Sequence, residues 1–574
     1  MKHRLQIAPW TLILLFWTAS VQAEYKETID PNGRTRNLQS DYGLVDDDAS
    51  TDQSETFQKA IDDLAAQGGG RLIVPKGTYR LAGVRLRSNI HLLIEKDTVI
   101  KPYWPEGTKT VVFLLDAERP ANKRKVTPEQ EKTFIENVSI RGLGGRWIVD
   151  YSDREPKEGE GVRAVLAKMV RNFLIADLDV KDNFTTYCGI TLTPLQTKSE
   201  TKDWPVSRAT DGTIRNCRIF DASPGYGLTQ LHGAQSVRFE NIYARGGVTL
   251  RLETGAVGLR TGVYNITAKN VVNENGRCAV MFGPHSAVNG VVKVDGVLSK
   301  SSTYAVSMGK GGVKEAQLRI DPDATDGSFA DGSYVKNIHA VFGRHAQVKT
   351  HAMLAIPEEY YDDLKLRWFD KFFEGPSIGA VKYSTQGHYR VRIENVTMEG
   401  FTYNADKPIL TDADERPGKW GVELRNWKAS RPTETKVRRP SIASDYVNVY
   451  QAAGDVFPGP DAAELIAGRF YDDWVPNDHC FVRDKAGRWH TFGITHPLTG
   501  TSNVHAGEHL LFHAVAPPGS LKNALREGSW KDQRKILPPR ERPAEIPAIH
   551  APWILRRNGL FHIVYGPTPI RYAE

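Results

Sequence analysis

The stretch Gly246-Gly-Val-Thr-Leu-Arg-Leu-Glu-Thr-Gly255 decides how this chain is read. As a β-strand it alternates: Val248, Leu250 and Leu252 point one way, and Thr249, Arg251 and Glu253 the other. One face is aliphatic enough for a core. The other carries a cation beside a carboxylate on a rigid element. A charged pair on a solvated strand face is ordinarily surface, so its meaning depends on what surrounds it.

Outward from that stretch the same grammar recurs. Ile135-Glu-Asn-Val-Ser-Ile140, Val170-Arg-Asn-Phe-Leu-Ile175, Ile214-Arg-Asn-Cys-Arg-Ile219, Val237-Arg-Phe-Glu-Asn-Ile242, Val263-Tyr-Asn-Ile266 and Val391-Arg-Ile-Glu-Asn-Val396 are short alternating strands interrupted by Asn. Asn216 and Asn241 are 25 residues apart, Asn241 and Asn270 are 29 apart. A period in that range, with small polar residues at corners, predicts the stacked coils of an all-β solenoid. Stacking buries a continuous aliphatic core and leaves an outer sheet on which a polymer can lie. A β-sandwich would need Asn-Gly or Asp-Gly turns between closely spaced strands, and these are scarce.

Before the repeats, Ser54 is placed to cap a helix with Phe57, Ile61, Leu64 and Ala65 on one face, ended by Gly68-Gly69-Gly70. Arg71-Leu-Ile-Val74, a turn at Pro75-Lys-Gly77 and strands around Leu81–Leu86 and Ile90–Ile94 follow. This segment, from Tyr42, resembles the opening of right-handed parallel β-helix proteins that act on polysaccharides. There a short amphipathic helix caps the solenoid. Two insertions interrupt the coils: a polar loop at Lys198–Arg208 and an excursion over Gly309–Gly387. The excursion is expected to carry a helix at Glu358–Phe373, with Tyr361, Leu364, Trp368 and Phe372 at helical spacing, and to fold back over the sheet to make a cleft.

Bulk properties agree with a turn-rich β protein: 50 Gly, 32 Pro and 40% hydrophobic residues in 574. Met1–Ala23 has the parts of a secretory leader: Lys2 and Arg4, an apolar run from Leu12 to Trp17, and Val-Gln-Ala at 21–23. No later stretch is long and apolar enough to span a bilayer. Removing the leader with its two cations lowers the net charge from +7 to +5, which suits an anionic partner. Cys188, Cys217, Cys278 and Cys480 are too widely spaced for a CxxC metal site or a small-domain disulfide framework; Cys217 and Cys278 read as buried small hydrophobes.

The candidate site assembles from three coils. Gln230, in Tyr226-Gly-Leu-Thr-Gln-Leu-His232, lies 23 residues before Glu253, an offset that places the two on neighbouring rungs about 5 Å apart. One coil later comes Phe282-Gly-Pro-His285. Gln230, Arg251, Glu253 and His285 then form one polar cluster.

GYGLTQ (225–230), GGVTLRLETG (246–255), Pro284-His285 and the large insertion resemble the iota-carrageenases, glycoside hydrolase family 82, over roughly residues 40 to 430. The resemblance implies an endo-acting, inverting hydrolase of β-1,4 bonds in a sulfated red-algal galactan. Glu253 would be the general acid, Gln230 would position water or an anion, and His285 would assist. It requires no cofactor and admits a structural calcium ion, for which no ligand constellation argues separately. Its partner is an anionic sulfated polysaccharide, with no nucleic acid or membrane, and the protein acts as a secreted monomer, extracellular or periplasmic. The family pattern has an Asp two positions after the acid, acting as base; here that position is Gly255. The carboxyl groups of an inverting hydrolase stand about 6.5–9.5 Å apart. Without the Asp, Glu274 or Asp221 would be the base, or water would be held by Gln230 and His285. Arg and Lys suit sulfate esters, and Arg245, Arg251, Arg260 and Lys310 are candidates to bind them, with His232 a further substrate-binding candidate.

A general acid at neutral pH needs its pKa raised, and Arg251 on the same face pulls the other way unless a sulfate occupies it. Beyond the solenoid domain (24–430) and a connector (431–470), residues 471–574 change to strand–turn–strand pairs. They resemble the first blades of family 43-like five-bladed β-propellers, with Asp478 at the position of the base, although about a hundred residues make only two blades. Besides the hydrolase, the sequence leaves open a polysaccharide lyase acting on a uronic-acid polymer, or a non-catalytic glycan-binding solenoid.

Overall fold

The computed structural model describes residues 24–119, 128–157, 159–195, 207–256, 260–319 and 321–430, and in the C-terminal part 474–497, 510–520, 524, 529–533, 536, 550–557, 560–566 and 571–573. The leader, the connector and most of the loop at Lys198–Arg208 lie outside these. The chain forms two compact units, Met1–Thr433 and Glu434–Glu574.

The first unit is a right-handed parallel β-helix whose strands join one 24-stranded sheet. Successive coils pair in parallel and in register: Gln230 with Arg251, Arg251 with Met281, Met281 with Ser307, Ser307 with Lys382. Each coil contributes inward aliphatic and aromatic side chains to one core running from Leu38 to Val391. The corners explain the repeated Asn. Asn137, Asn172, Asn216, Asn241, Asn265 and Asn395 all have φ between 51° and 59°, the left-handed conformation that Asn tolerates better than most residues. Their amides also bond along the axis: Asn172 donates to Asn137 (2.9 Å), Asn241 to Asn216 (3.3 Å), and Asn270 to Asn241 (2.8 Å).

The helix Ser54–Ala66 packs Phe57, Ala60, Ile61 and Leu64 into that core against the first coil. Ala65 is only partly buried. Ser54 is the first helical residue, not the cap; its N–H instead donates to Asp52 Oδ1 (3.1 Å).

The excursion departs from expectation. Glu358–Phe373 is not a helix: a 3-10 turn at Glu358–Asp363 is followed by an antiparallel hairpin of Lys365–Trp368 and Phe372–Gly375. The four-residue spacing of Trp368 and Phe372 serves a cross-strand pair, since Phe369 and Asp370 turn the chain at φ of 55° and 52°. The excursion does cover the sheet. Val348, Met353 and Phe373 form a second core with Val248, Cys278 and Tyr304 of the coils and Trp427 of the helix Trp420–Ser430.

Val248 therefore faces the excursion, not the solenoid interior. Gly246 and Gly247, at φ of 83° and 57°, make the bend that shifts the alternation. Thr249 is buried, donating to the Val272 carbonyl (2.8 Å) and accepting from Asn273 (3.1 Å), and the expected in–out pattern resumes at Leu250. Cys188, Cys217 and Cys278 are buried free thiols.

In the second unit, strands between Trp474 and Asp532 form a four-stranded antiparallel sheet, and strands between His550 and Ala573 a three-stranded one. Phe492, Ile494, Leu511, Ile554 and Ile563 join the two. Asp478 is on the first strand; its side chain lies outside the described residues.

Asn241→Ala, which removes both axial amide bonds and leaves Ala in a left-handed corner, is expected to destabilise the β-helix by about 1–3 kcal/mol. Urea denaturation followed by circular dichroism reads this; an unchanged midpoint would show that the corners do not hold the coils.

Candidate active site

Glu253 is the last residue of the strand Ala234–Glu253, so a rigid ladder sets its position. Its carboxylate accepts from Gln230 Nε2 at 2.7 Å on one oxygen and from Arg251 Nη2 at 2.7 Å on the other. His285 Nε2 stands 3.5 Å from that second oxygen. His232, directly in line one rung below, places Nδ1 2.8 Å from the Glu253 main-chain carbonyl. A carbonyl oxygen only accepts, so Nδ1 carries the proton and Nε2 is left as the acceptor. Arg251 also donates to the Gly225 carbonyl and faces the Tyr226 ring at 5.4 Å, while its buried Nε has no partner among the described residues.

Only 15% of the Glu253 side chain is exposed. Burial alone would raise its pKa, but hydrogen bonds from His285, Arg251 and Gln230 and the charge of Arg251 outweigh it, holding the carboxyl well below its ordinary 4.5. Since His285 is at the limit of hydrogen-bond reach, the short contacts from Arg251 and Gln230 provide most of that hold. Glu253 is thus a carboxylate in the free protein. Burial lowers the pKa of His232, which keeps it neutral.

The remaining predicted residues are not brought to Glu253. Arg245 pairs with Asp221 (3.0 and 3.3 Å), and Glu274 accepts from Tyr243 (2.8 Å). All four precede the coil bends that separate their sheet face from Glu253, so neither Asp221 nor Glu274 is placed to act as its base. Arg260 pairs with Asp321 of the excursion, and Lys310 donates to Gln386 (3.0 Å). Gly255 lies past the strand end at φ 72°, where a Cβ would sit 2.7–2.9 Å from Ser286 and Ala287 atoms. Any side chain there is strained, and position 255 does not continue the face that carries Glu253.

Sequence reading missed Arg163, Arg277, Lys349 and the neutral imidazole of His351 around this cluster. Burial lowers the pKa of Arg277, with Arg251 adding to it. Lys349 of the excursion is lowered by burial and by Arg277 and Arg251. His351 is pushed down to about 4 by burial and by Lys349, Arg277 and Lys382. On the lower coils Arg163 stacks on Tyr187 at 3.4 Å and donates to Thr191 (3.2 Å), the residue aligned with Gln230. Only the folded excursion brings Lys349 and His351 to Arg277. Among the described residues no three His, Cys, Asp or Glu side chains are grouped to hold a metal ion.

The fold is a right-handed parallel β-helix, with a carboxylate held by Gln230 and Arg251 on its stacked coils. More narrowly, the chain is similar to iota-carrageenases. No family model matches the chain. The iota-carrageenase of Zobellia galactanivorans is 37% identical over 284 residues, 48% of this chain and 53% of that protein. The chain thus spans about half the length of the curated relatives it matches. A solved 1,3-α-1,4-β-D-galactose-4-sulfate-3,6-anhydro-D-galactose-2-sulfate 4 galactohydrolase superposes with a TM-score of 0.61 at 26% identity, covering 72% of this chain and 96% of that one. An iota-carrageenase complexed to iota-carrageenan fragments gives 0.60 at 24% identity, with 72% and 96% coverage. The propeller resemblance of residues 471–574 stays an expectation.

Because the Glu253 pKa is lower folded than unfolded, its stabilisation is present above the ordinary carboxylate pKa and is lost as pH falls through the folded value. Glu253→Gln strands a buried Arg251, at a cost on the order of 3 kcal/mol near pH 7. The gap to wild type is expected to narrow steadily below about pH 4; melting curves across pH check it, and a constant gap would contradict the ion pair.

Proposed function

We propose that the β-helix unit is a secreted, endo-acting glycoside hydrolase that cleaves β-1,4 bonds of a sulfated red-algal galactan of the iota-carrageenan kind, with inversion. The observation that carries this reading is the Glu253 carboxylate held by Gln230 and Arg251 beside His285, with Arg277 and Lys349 near enough to act on it electrostatically and Arg163 near enough to act on His232. Such a concentration of cations attracts a polyanion and raises its local concentration. The similarity to a galactose-4-sulfate galactohydrolase supports the same substrate class.

Glu253 must donate a proton to the glycosidic oxygen as the bond to the anomeric carbon breaks, yet it is ionised in the free protein. The substrate supplies the remedy. A sulfate ester drawing Arg251 away removes one hydrogen bond from Glu253, and the added negative charge and lost water raise its pKa. The acid is loaded by binding. Water then attacks the opposite face of the sugar, and its proton passes to His232 Nε2, the acceptor left by the Nδ1 contact. An imidazole takes the place of the carboxylate that Gly255 lacks.

Glu253→Gln is expected to lower the hydrolysis of iota-carrageenan by about 10²–10⁴-fold, and His232→Gln by a comparable factor with loss of the acid limb of the pH profile. Reducing-end release measures both, and wild-type rates in Glu253→Gln would sink the assignment. Binding without turnover on every galactan would instead favour a carbohydrate-binding solenoid, and an unsaturated product would favour a lyase. Calorimetry in buffers of different ionisation heat should show proton uptake when an iota-carrageenan oligosaccharide binds; no uptake would rule out loading by substrate.

A further inference from the structure

A second cavity, of about 290 Å³, shares no lining residue with the cluster around Glu253. It lies at the Gly246–Gly247 bend within the strand that ends at Glu253. Six residues of strand separate Gly247 from Glu253, about 20 Å, so a sugar held here is not the one cleaved there. Its walls come from the coils (Phe184, Asp221, Arg245) and from the excursion hairpin (Trp368, Glu374).

Two aromatic rings form one side: Phe184 and Trp368, centroids 5.7 Å apart and tilted by 42°. The Phe184 backbone N–H donates to the Asp221 carbonyl (2.9 Å), which fixes the ring against the coil. The polar side is charge-balanced. Arg245 is committed to Asp221 through two contacts, and Glu374 receives His345 Nδ1 at 2.7 Å with Arg367 Nε 2.9 Å away. Two arginines face two carboxylates, and the carboxylates retain lone pairs for hydroxyl donors. In the trough, by contrast, cations outnumber the single carboxylate. A sulfate ester would have to break an existing ion pair to enter this cavity, whereas a sugar hydroxyl can bond to either partner without doing so. An aromatic wall beside a few fixed polar groups, in a space sized for one ring, is a small-ligand site.

We propose that this cavity binds one unsulfated pyranose ring, stacked on Trp368 and hydrogen-bonded by the Asp221–Arg245 and Glu374–His345 pairs. It is a remote saccharide site beside the catalytic trough. The inference rests on the proposed function only for the class of ligand, a galactan.

The test uses the full chain carrying Glu253→Gln, titrated calorimetrically with a neutral agarose-derived tetrasaccharide and separately with an iota-carrageenan tetrasaccharide. The neutral sugar is expected to bind, and adding Trp368→Ala or Asp221→Asn should weaken that binding at least tenfold without changing iota-carrageenan affinity. Melting curves verify that each variant is folded, and the Asp221 variant keeps the test intact if removing the indole disturbs the hairpin. No binding of the neutral sugar, or equal binding in both folded variants, would overturn the proposal. Failure of hydrolysis leaves these outcomes untouched, because the readout is binding by a protein that does not turn over.

Discussion

The in-register hydrogen bonding of successive coils is the constraint on which the site depends. One rung brings Gln230 onto Arg251 and His232 onto Glu253, residues more than twenty positions apart in the chain. A parallel ladder offset by one residue would send every outward side chain inward, burying Arg251 and Glu253 in the aliphatic core. Left-handed Asn corners and their axial amide bonds keep successive coils in line although their lengths differ, so the register that fills the interior also aligns the chemistry outside.

The electrostatics follow from that alignment. A carboxylate enclosed by protein is tolerated because a guanidinium and an amide on adjacent positions hold it. The same contacts that make Glu253 stable make it a poor acid until something competes for Arg251. In the proposed mechanism, stability in the free protein and reactivity in the complex are therefore opposed, and an anionic substrate arbitrates between them.

Much of this was legible in the chain. Asn137, Asn172, Asn216, Asn241, Asn265 and Asn395 marked corners because few other residues adopt their backbone shape, and the 23-residue offset from Gln230 to Glu253 amounted to one coil. The site was less legible where it depends on bends. Arg245 and Arg251 are six residues apart on one continuous strand, and only the double glycine between them puts them on different faces. The expected helix at 358–373 failed because a spacing of four fits a helix turn and a tight hairpin equally well. The basic side chains of the excursion carry no local signal: Lys349 and the neutral imidazole of His351 acquire meaning only through tertiary packing on coils some seventy residues earlier.

Besides its shared apolar core, the excursion is tied to the coils by one buried amide side chain. Gln347 accepts from the Gly247 N–H (2.6 Å) and donates to the Ala222 carbonyl (3.0 Å), while its own backbone bonds to Gly276 and Thr303. Four consecutive turns of the spiral are thereby pinned to one side chain and its peptide groups. That wall cannot swing outward without unpairing groups shielded from solvent, so its spacing from the spiral is set during folding. The face it forms over the coils is accordingly a fixed wall and not a moving jaw.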